Sequence, residues 1–145
     1  MSGFLLDTNV ISELIKARPE PKVAHWVDSV DESLLFLSVL TLGEIEKGIA
    51  ALAQTSRRRR LQAWLEAELR PRFADRILPV DEGVARRWGR LAGEVEARAG
   101  GVLPVIDGLL AATALVHELV LVTRNSKDFT PTGAAVLNPW EEPAS

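Results

Sequence analysis

The pattern of apolar and polar positions opens with a strand that runs directly into a helix. Residues 4–6 are wholly apolar, and the polar residues 7–9 follow them. Apolar side chains then recur three and four positions apart, at Val10, Ile11 and Leu14. This spacing is typical of one face of a helix, so the first unit is predicted to be a buried strand and a helix.

Two further strands are predicted by the same criterion. Residues 34–37 form an apolar run, and through Ser38 they lead into a helix that carries Ile45 and Ile49. Residues 119–122 are apolar and half of them are β-branched, which favours a strand. Both runs end in polar residues.

The remaining segments complete an alternation of helices and strands. The pattern predicts a short helix over 23–30, a charged helix that starts with arginines 57–60 and ends at Pro71, a strand at 77–78, an amphipathic helix over 82–98, an apolar helix over 105–117 and an edge strand over 134–137. Continuously apolar strands that alternate with helices indicate a parallel sheet covered on both faces. We therefore expect an α/β fold, with a central, mostly parallel sheet of about five strands. One domain over residues 1–145 is expected, with 143–145 as a loose tail.

Composition narrows the kinds of site that the chain can build. The 145 residues include no cysteine, and the two histidines, His25 and His117, are far apart. Any metal must then be held mostly by oxygen, which points towards Mg²⁺ or Mn²⁺. The net charge of −3 argues against a protein that coats nucleic acid, and it suits a basic protein partner. It leaves open an enzyme that meets nucleic acid through ions and local arginines.

Targeting signals are not apparent. No apolar run approaches the roughly 18 residues that a membrane-spanning helix needs. The chain opens without the basic stretch and small-residue cleavage site of a secretory signal. We expect a cytoplasmic protein without a membrane segment.

Three carboxylates are predicted to meet at one edge of the sheet. Asp7 ends the first strand, Glu44 lies one or two turns beyond the second, and Asp107 is in the opening turn of the helix before the strand at 119–122. Ligands of open α/β sheets bind beyond the carboxyl ends of the strands. Packed carboxylates repel one another, whereas two dications about 4 Å apart can stabilise an in-line phosphodiester displacement. The pattern therefore favours a two-metal site.

Each acid also has a purely structural interpretation. Asp7 before a helix can be an N-cap, and Thr41 with Glu44 fits the capping-box pattern. Asp107 in a first helical turn is favoured by the helix dipole. Its neighbours are apolar, however, and an unpaired carboxylate is costly in such a setting. Asp107 is the hardest of the three to explain by structure alone.

Other polar and aromatic residues are open to two interpretations as well. Asn125 and Asp128 fit an Asx-type turn after a strand as readily as a site. Arginines 57–60 are more typical of a solvated helix face than of an RNA track. The four tryptophans are taken as core or interface residues.

Four motifs in order resemble those of the PIN-domain toxins of the VapC class, especially the FitB-like branch. They are LLDTNVISEL at 5–14, SVLTLGEIEKGI at 38–49, DGLLAATA at 107–114 and VTRNSKDF at 122–129, and NPW at 138–140 resembles the closing segment of that family. The likeness runs from about residue 4 to residue 140. It implies a PIN-like, Rossmann-like α/β/α sandwich and an Mg²⁺- or Mn²⁺-dependent endoribonuclease with one or two ions per site. It also implies a homodimer, with a higher assembly where the antitoxin joins, and a cognate antitoxin that covers the active site.

The resemblance assigns roles to individual residues. The metal-binding acids of the family correspond to Asp7, Glu44 and Asp107, and the fourth acidic position of many PIN domains is Asn125 here, with Asp128 three residues on. This departure bears on a second metal site. The hydroxyls expected to bind the ion or orient its ligands are those of Thr8, Ser38 and Thr123. The residues expected to contact RNA phosphates are Arg124, Lys127, Arg57 and Arg58. We further expect an arginine-bearing peptide of the antitoxin to enter the acidic pocket.

Two other functions stay open from the sequence. An aspartyl-phosphate phosphohydrolase would use Asp7 as its nucleophile, but Asn9 stands where such enzymes place a second aspartate. A catalytically inert binding module with the same fold is favoured only by the amide at Asn125. Turnover of small phosphomonoesters would reveal the first, and a lack of Mn²⁺ binding that depends on Asp107 would indicate the second.

Overall fold

The computed structural model describes residues 3–141, and of Ala99 the backbone alone. Its strands are β1 (Phe4–Leu6), β2 (Leu35–Ser38), β3 (Ile77–Leu78), β4 (Val120–Val122) and β5 (Val136–Leu137). Its helices are α1 (Thr8–Leu14), α2 (Pro21–Ser29), α3 (Val39–Ala50), α4 (Ser56–Trp64), α5 (Arg70–Arg72), α6 (Glu82–Ala99), α7 (Val105–Val116) and α8 (Ser126–Phe129). The predicted alternation of strands and helices is confirmed.

The strands form one parallel sheet in the order β3-β2-β1-β4-β5. Leu5 of β1 lies opposite Phe36 of β2 on one side and Leu121 of β4 on the other. The strand order reverses direction at β1, where the chain first builds outwards to β2 and β3 and then returns to β4. Such a switch point leaves a crevice beyond the carboxyl ends of the two central strands, where ligands of this sheet type bind.

Helices cover both faces of the sheet, as the continuously apolar strands predict. Leu6 and Val122 point to the face that α1, α2, α3 and α4 cover, where Phe73 is fully buried. Leu5 and Leu121 point to the opposite face, which α6, α7 and α8 cover. The α/β/α sandwich expected from the sequence is confirmed.

Several element boundaries differ from the sequence expectation: the edge strand expected over 134–137 covers Val136–Leu137, and the helix expected over 23–30 covers Pro21–Ser29. Two other differences have local reasons. Leu34 belongs to a 3-10 turn (Glu32–Leu34) rather than to β2, because the side chain of Asp31 accepts a hydrogen bond from Ser33 N and caps that turn. Pro71 does not end the charged helix but lies within α5. The π-helical turn Leu65–Leu69 precedes it, and this wider turn removes the clash of a proline ring with the preceding carbonyls.

The predicted loose tail at 143–145 lies outside the described residues. No helix within residues 3–141 is both long enough and apolar enough to cross a membrane.

Candidate active site

Asp7 stands at the junction of β1 and α1 and combines two roles. Its backbone N–H donates to Val122 O at 2.9 Å, which extends the pairing of β1 with β4. Its Oδ1 accepts from Thr8 N at 2.7 Å, so Asp7 is the N-cap of α1. The structural interpretation of Asp7 is therefore correct, but it uses only one carboxylate oxygen. The other oxygen, Oδ2, accepts a hydrogen bond from the Thr123 hydroxyl at 2.8 Å.

Thr123 is the centre of a small polar network at the end of β4. Its side chain is fully buried, and its hydroxyl also accepts from Asn9 Nδ2 at 3.2 Å and from Asn125 N at 3.1 Å. Asn9 Oδ1 accepts in turn from Arg124 N at 3.3 Å. These bonds tie the carboxyl ends of β1 and β4 together. They hold Asp7 in one orientation.

Glu44 reaches the same place from α3. The capping-box interpretation is wrong, because α3 begins directly after Ser38, whose hydroxyl accepts from Leu40 N at 3.0 Å. Thr41 therefore lies inside the helix, and Glu44 lies beyond its first turn. The Thr8 hydroxyl donates to Glu44 Oε1 at 2.6 Å, which directs the carboxylate towards the end of β1.

Asp107 completes the group of acids from the first turn of α7. Burial raises the pKa of its carboxyl group, and the charges of Asp128 and Glu44 raise it further. Burial likewise raises the pKa of Asp7, against the hydrogen bonds from Thr123 and Thr8, and Glu44 and Asp107 add to the rise. The sequence analysis expected Asp7, Glu44 and Asp107 to meet at one edge of the sheet. In the structure the charges of these carboxylates interact there.

The acids line a pocket of about 440 Å³ beyond the ends of β1 and β4. Its wall includes Asp7, Glu44 and Asp107 together with Thr8, Arg124 and Asn125. We call it the acidic pocket. Asn125 makes no side-chain bond at the start of α8, so the Asx-turn interpretation of this residue does not hold. Asp128, Lys127 and Ser38 are not among the lining residues.

A larger groove of about 840 Å³ lies beside the acidic pocket, between α1, α3 and α4. Apolar side chains such as Ile11, Ile45 and Trp64 line it, and Arg57 and Arg60 stand among them. Arg58 is not free for a ligand in the same way, because its Nη1 donates to Leu52 O at 3.1 Å. Arg57, which was expected to contact RNA, therefore lines the larger groove, whereas Arg58 is hydrogen-bonded to the backbone of the loop after α3.

The donor set of the acidic pocket fits a hard divalent ion. Within residues 3–141, no three Asp, Glu or His side chains close around one point as a finished ligand set. The charges of Glu44 and Asp107 nevertheless raise the pKa of Asp7, and the charge of Glu44 raises the pKa of Asp107; a bound cation reverses such an effect. Carboxylate, amide and hydroxyl oxygens are the ligands that Mg²⁺ and Mn²⁺ take.

The sequence analysis missed five residues of the acidic pocket. Asn9, Ser12 and Glu13 line it from α1, Lys16 lines it from just beyond the end of α1, and Trp140 lines it from the C-terminal segment. The first four were detectable in principle, since positions 9, 12, 13 and 16 have the spacing of one helix face that starts at the candidate ligand Asp7. Trp140 was taken as core or interface. Its ring centroid lies 5.3 Å from the Arg124 guanidinium carbon.

Comparison with known proteins agrees with this architecture. The model of the PIN domain family matches residues 4–132. The VapC ribonuclease Y4jK of Sinorhizobium fredii is 39% identical over 138 residues, which cover 95% of this chain and 98% of that protein. The toxin FitB of Neisseria gonorrhoeae is 38% identical over 139 residues, which cover 96% of this chain and 99% of that protein.

Solved structures give the same result. A crystal structure of FitAcB from Neisseria gonorrhoeae superimposes with a TM-score of 0.89 at 37% identity, over 96% of this chain and 99% of that one. A structure of FitAB bound to the IR36 DNA fragment gives a TM-score of 0.90 at 36% identity, over 97% of each chain. Both are similar to this chain along nearly its whole length.

Proposed function

Because this chain belongs to the PIN-domain family, we propose that it is an endoribonuclease and the toxin of a toxin–antitoxin pair. The observation that carries this proposal is the convergence of Asp7, Glu44 and Asp107 in one pocket at the switch point of the sheet. Relatives that match along nearly the whole chain are named VapC ribonuclease and toxin FitB. We treat residues 1–145 as one catalytic domain that acts on RNA in the cytoplasm.

We propose that Asp7, Glu44 and Asp107 hold one or two Mg²⁺ or Mn²⁺ ions. The ion, when bound, withdraws charge from the scissile phosphate and promotes ionisation of the attacking water. Asn125 lines the same pocket, so its amide oxygen is the proposed additional ligand for a second ion. Asp128 acts on Asp107 through its charge and is the weaker candidate.

The other side chains of the pocket position the acids and the substrate. The Thr123 hydroxyl fixes Asp7, and the Thr8 hydroxyl fixes Glu44. Ser38 acts less directly, as the cap of the helix that carries Glu44. Arg124 lines the pocket and is exposed, so its guanidinium can bind a phosphate oxygen of the RNA backbone. Lys127 on α8 is exposed, and it is proposed to extend the phosphate contacts outside the pocket.

We propose that the cognate antitoxin covers both the acidic pocket and the larger groove. An arginine of the antitoxin suits a pocket in which neighbouring negative charges raise the pKa of Asp7 and of Asp107. An apolar segment beside that arginine suits the side chains of Ile11, Ile45 and Trp64 in the groove. Two of the similar structures are of FitAB bound to a DNA fragment and of FitAcB. A homodimer of this chain is also proposed, with a higher assembly when the antitoxin joins.

Cleavage of a mixed RNA pool by purified protein, freed of any partner, tests the function. The wild type and Asp107→Asn are compared with and without Mn²⁺, and Asp28→Asn serves as a matched control because Asp28 is exposed on α2. Cleavage that needs the ion, survives in the control and disappears in Asp107→Asn supports the proposal. Cleavage that persists in Asp107→Asn, or turnover of small phosphomonoesters instead of RNA, contradicts it. A wild type that neither binds Mn²⁺ nor cuts RNA leaves the inert module as the better interpretation.

A further inference from the structure

Glu13 is a buried carboxylate that the proposed mechanism does not use. It lies on α1, two turns beyond Asp7, and its side chain is only 7% exposed. It forms part of the wall of the acidic pocket. A fourth carboxylate at this place adds negative charge to a site that must receive a polyanion. Its presence therefore needs a physical reason.

Both carboxylate oxygens of Glu13 are engaged. Oε1 accepts from Lys16 Nζ at 2.9 Å, and Oε2 accepts from Glu20 N at 2.9 Å. The bond from Lys16 does most to lower the pKa of Glu13, and the Glu20 amide and the charges of Lys16 and Arg124 lower it further. Glu13 is therefore held ionised and in one orientation.

Lys16 occupies the boundary between the two cavities. It lines both the acidic pocket and the larger groove, and its side chain is 57% exposed. A lysine at such a surface normally samples many rotamers, and fixing it costs conformational entropy. Glu13, itself immobilised by Glu20, fixes the ammonium group at the mouth of the pocket in advance.

We propose that Lys16 binds an RNA phosphate next to the scissile one, and that Glu13 is the positioning residue that holds its ammonium group there. This inference rests on the proposed ribonuclease function. It extends the substrate path from the acidic pocket towards the groove that contains Arg57 and Arg60. The competing explanation is that Glu13 only anchors the link between α1 and α2 through Glu20.

Variants of Lys16 test the phosphate contact. Lys16→Gln removes the charge and keeps most of the length, Lys16→Arg keeps the charge, and Lys22→Gln removes a charge from an exposed position on α2. Cleavage kinetics on a single-stranded RNA are measured at several salt concentrations. Lys16→Gln is expected to raise KM about fivefold to tenfold with kcat nearly unchanged. The slope of log KM against log salt concentration should fall by about 0.7, the value for one phosphate of a single strand. Lys16→Arg should restore both, and Lys22→Gln should match the wild type.

Glu13→Gln separates positioning from simple electrostatics. Removing a negative charge near a polyanion should by itself tighten RNA binding and lower KM. If Glu13 positions Lys16, the same substitution raises KM instead, and Glu13→Gln combined with Lys16→Gln gives no more than either change alone. A purely structural role would lower the melting temperature of Glu13→Gln, and KM would then fall with the loss of the negative charge rather than rise.

The comparison of the wild type with Lys16→Gln separates a failure of the Lys16 proposal from a failure of the proposed ribonuclease function. A wild type that does not cut RNA contradicts the ribonuclease assignment itself. A wild type that cuts RNA, with an unchanged KM and salt slope in Lys16→Gln, overturns only the role of Lys16. Because Lys16 is more than half exposed, its variant is expected to fold even if Glu13→Gln does not.

Discussion

Three threonines form a graded series for testing how the polar network supports the site. Thr41, Thr113 and Thr123 are all fully buried, yet their hydroxyls differ in their partners. The Thr41 hydroxyl has no hydrogen-bond partner among residues 3–141. The Thr113 hydroxyl donates at 2.8 Å to Leu109 O, a carbonyl that the helix itself already uses. The Thr123 hydroxyl makes three bonds, one of them to the Asp7 carboxylate.

Substitution of each threonine by valine should therefore change stability by different amounts. A hydrogen bond to a charged group contributes about 1.5–3 kcal/mol, and a buried donor left without a partner costs about 1–3 kcal/mol. Since the side-chain amide of Asn9 can turn partly to water, Thr123→Val is expected to lower the free energy of unfolding by about 2–4 kcal/mol. Thr113→Val should change it by less than about 1 kcal/mol. Thr41→Val should raise it by about 1 kcal/mol, because it removes a hydroxyl that is buried without a partner.

Urea unfolding at neutral pH in the presence of a chelator measures all three on one scale. The same change is made at the same burial each time, so side-chain size and exposure cancel between the variants. Thr123→Val should also lower ribonuclease activity about tenfold or more, as for other residues that orient metal ligands. If Thr123→Val and Thr113→Val unfold within about 0.5 kcal/mol of each other, the hydroxyl of Thr123 does not organise the site and the assignment of Asp7 loses its structural support.

Three further predictions concern packing and charge. A Cβ at Gly108 would lie 2.8 Å from Trp88 Cδ1, so Gly108→Ala should lower the free energy of unfolding by about 1–3 kcal/mol in urea; Gly93→Ala, with open space around it, should raise it by about 0.5–1 kcal/mol. The pKa of the Asp107 carboxyl group is raised above its ordinary value of 3.8. Ionised Asp107 therefore destabilises the folded protein, fully at pH values above the folded-state pKa and not at all below pH 3.8. Asp107→Asn should then melt at a higher temperature than the wild type in chelator at neutral pH, and a gap that persists at pH 3 would contradict this. Arg72 holds the pKa of Glu32 below 4.5. Glu32→Gln should therefore lower the free energy of unfolding at neutral pH, and this loss should vanish as the pH falls through the folded-state pKa of Glu32. A loss that does not change with pH would contradict the role of Arg72.

The fold could be predicted from the sequence because the three central strands, β1, β2 and β4, are mostly buried and are covered by helices on both faces. Strands such as residues 119–122 are then apolar at each position and are easily told from the helices between them. Asp7 and Asp107 could be identified for a related reason. Asp7 comes directly after an apolar run, and Asp107 is a charged residue among apolar neighbours. The order of strands, and with it the meeting of the acids, depends on contacts between distant segments that no local pattern contains.

Local patterns misled where tertiary contacts decide. Thr41 and Glu44 satisfy the capping-box spacing, but Ser38 caps the helix three residues earlier, at the end of a strand that the sheet fixes in place. Trp140 was indistinguishable from a core tryptophan, because its place beside Arg124 depends on the pairing of β5 with β4 and on the bond from Asn138 to Arg124 O. Glu13 and Lys16 look like an ordinary surface ion pair until the pocket is known.

Asp7 and Glu44 on one side of the acidic pocket, and Asp107 on the other, are held in place by different interactions. Substitutions can therefore disturb one side without the other. Asp7 and Glu44 are joined to β1 and β4 by hydrogen bonds from Thr123 and Thr8. The Asp107 carboxylate accepts no side-chain hydrogen bond from any residue within 3–141, and its place follows from the packing of α7 against α6, where Gly108 lies against Trp88. Changes that repack α6 against α7 should therefore displace Asp107 while leaving the hydrogen-bonded pair intact. Changes to Thr123 should do the opposite, so the two kinds of variant should lose activity through different ligands.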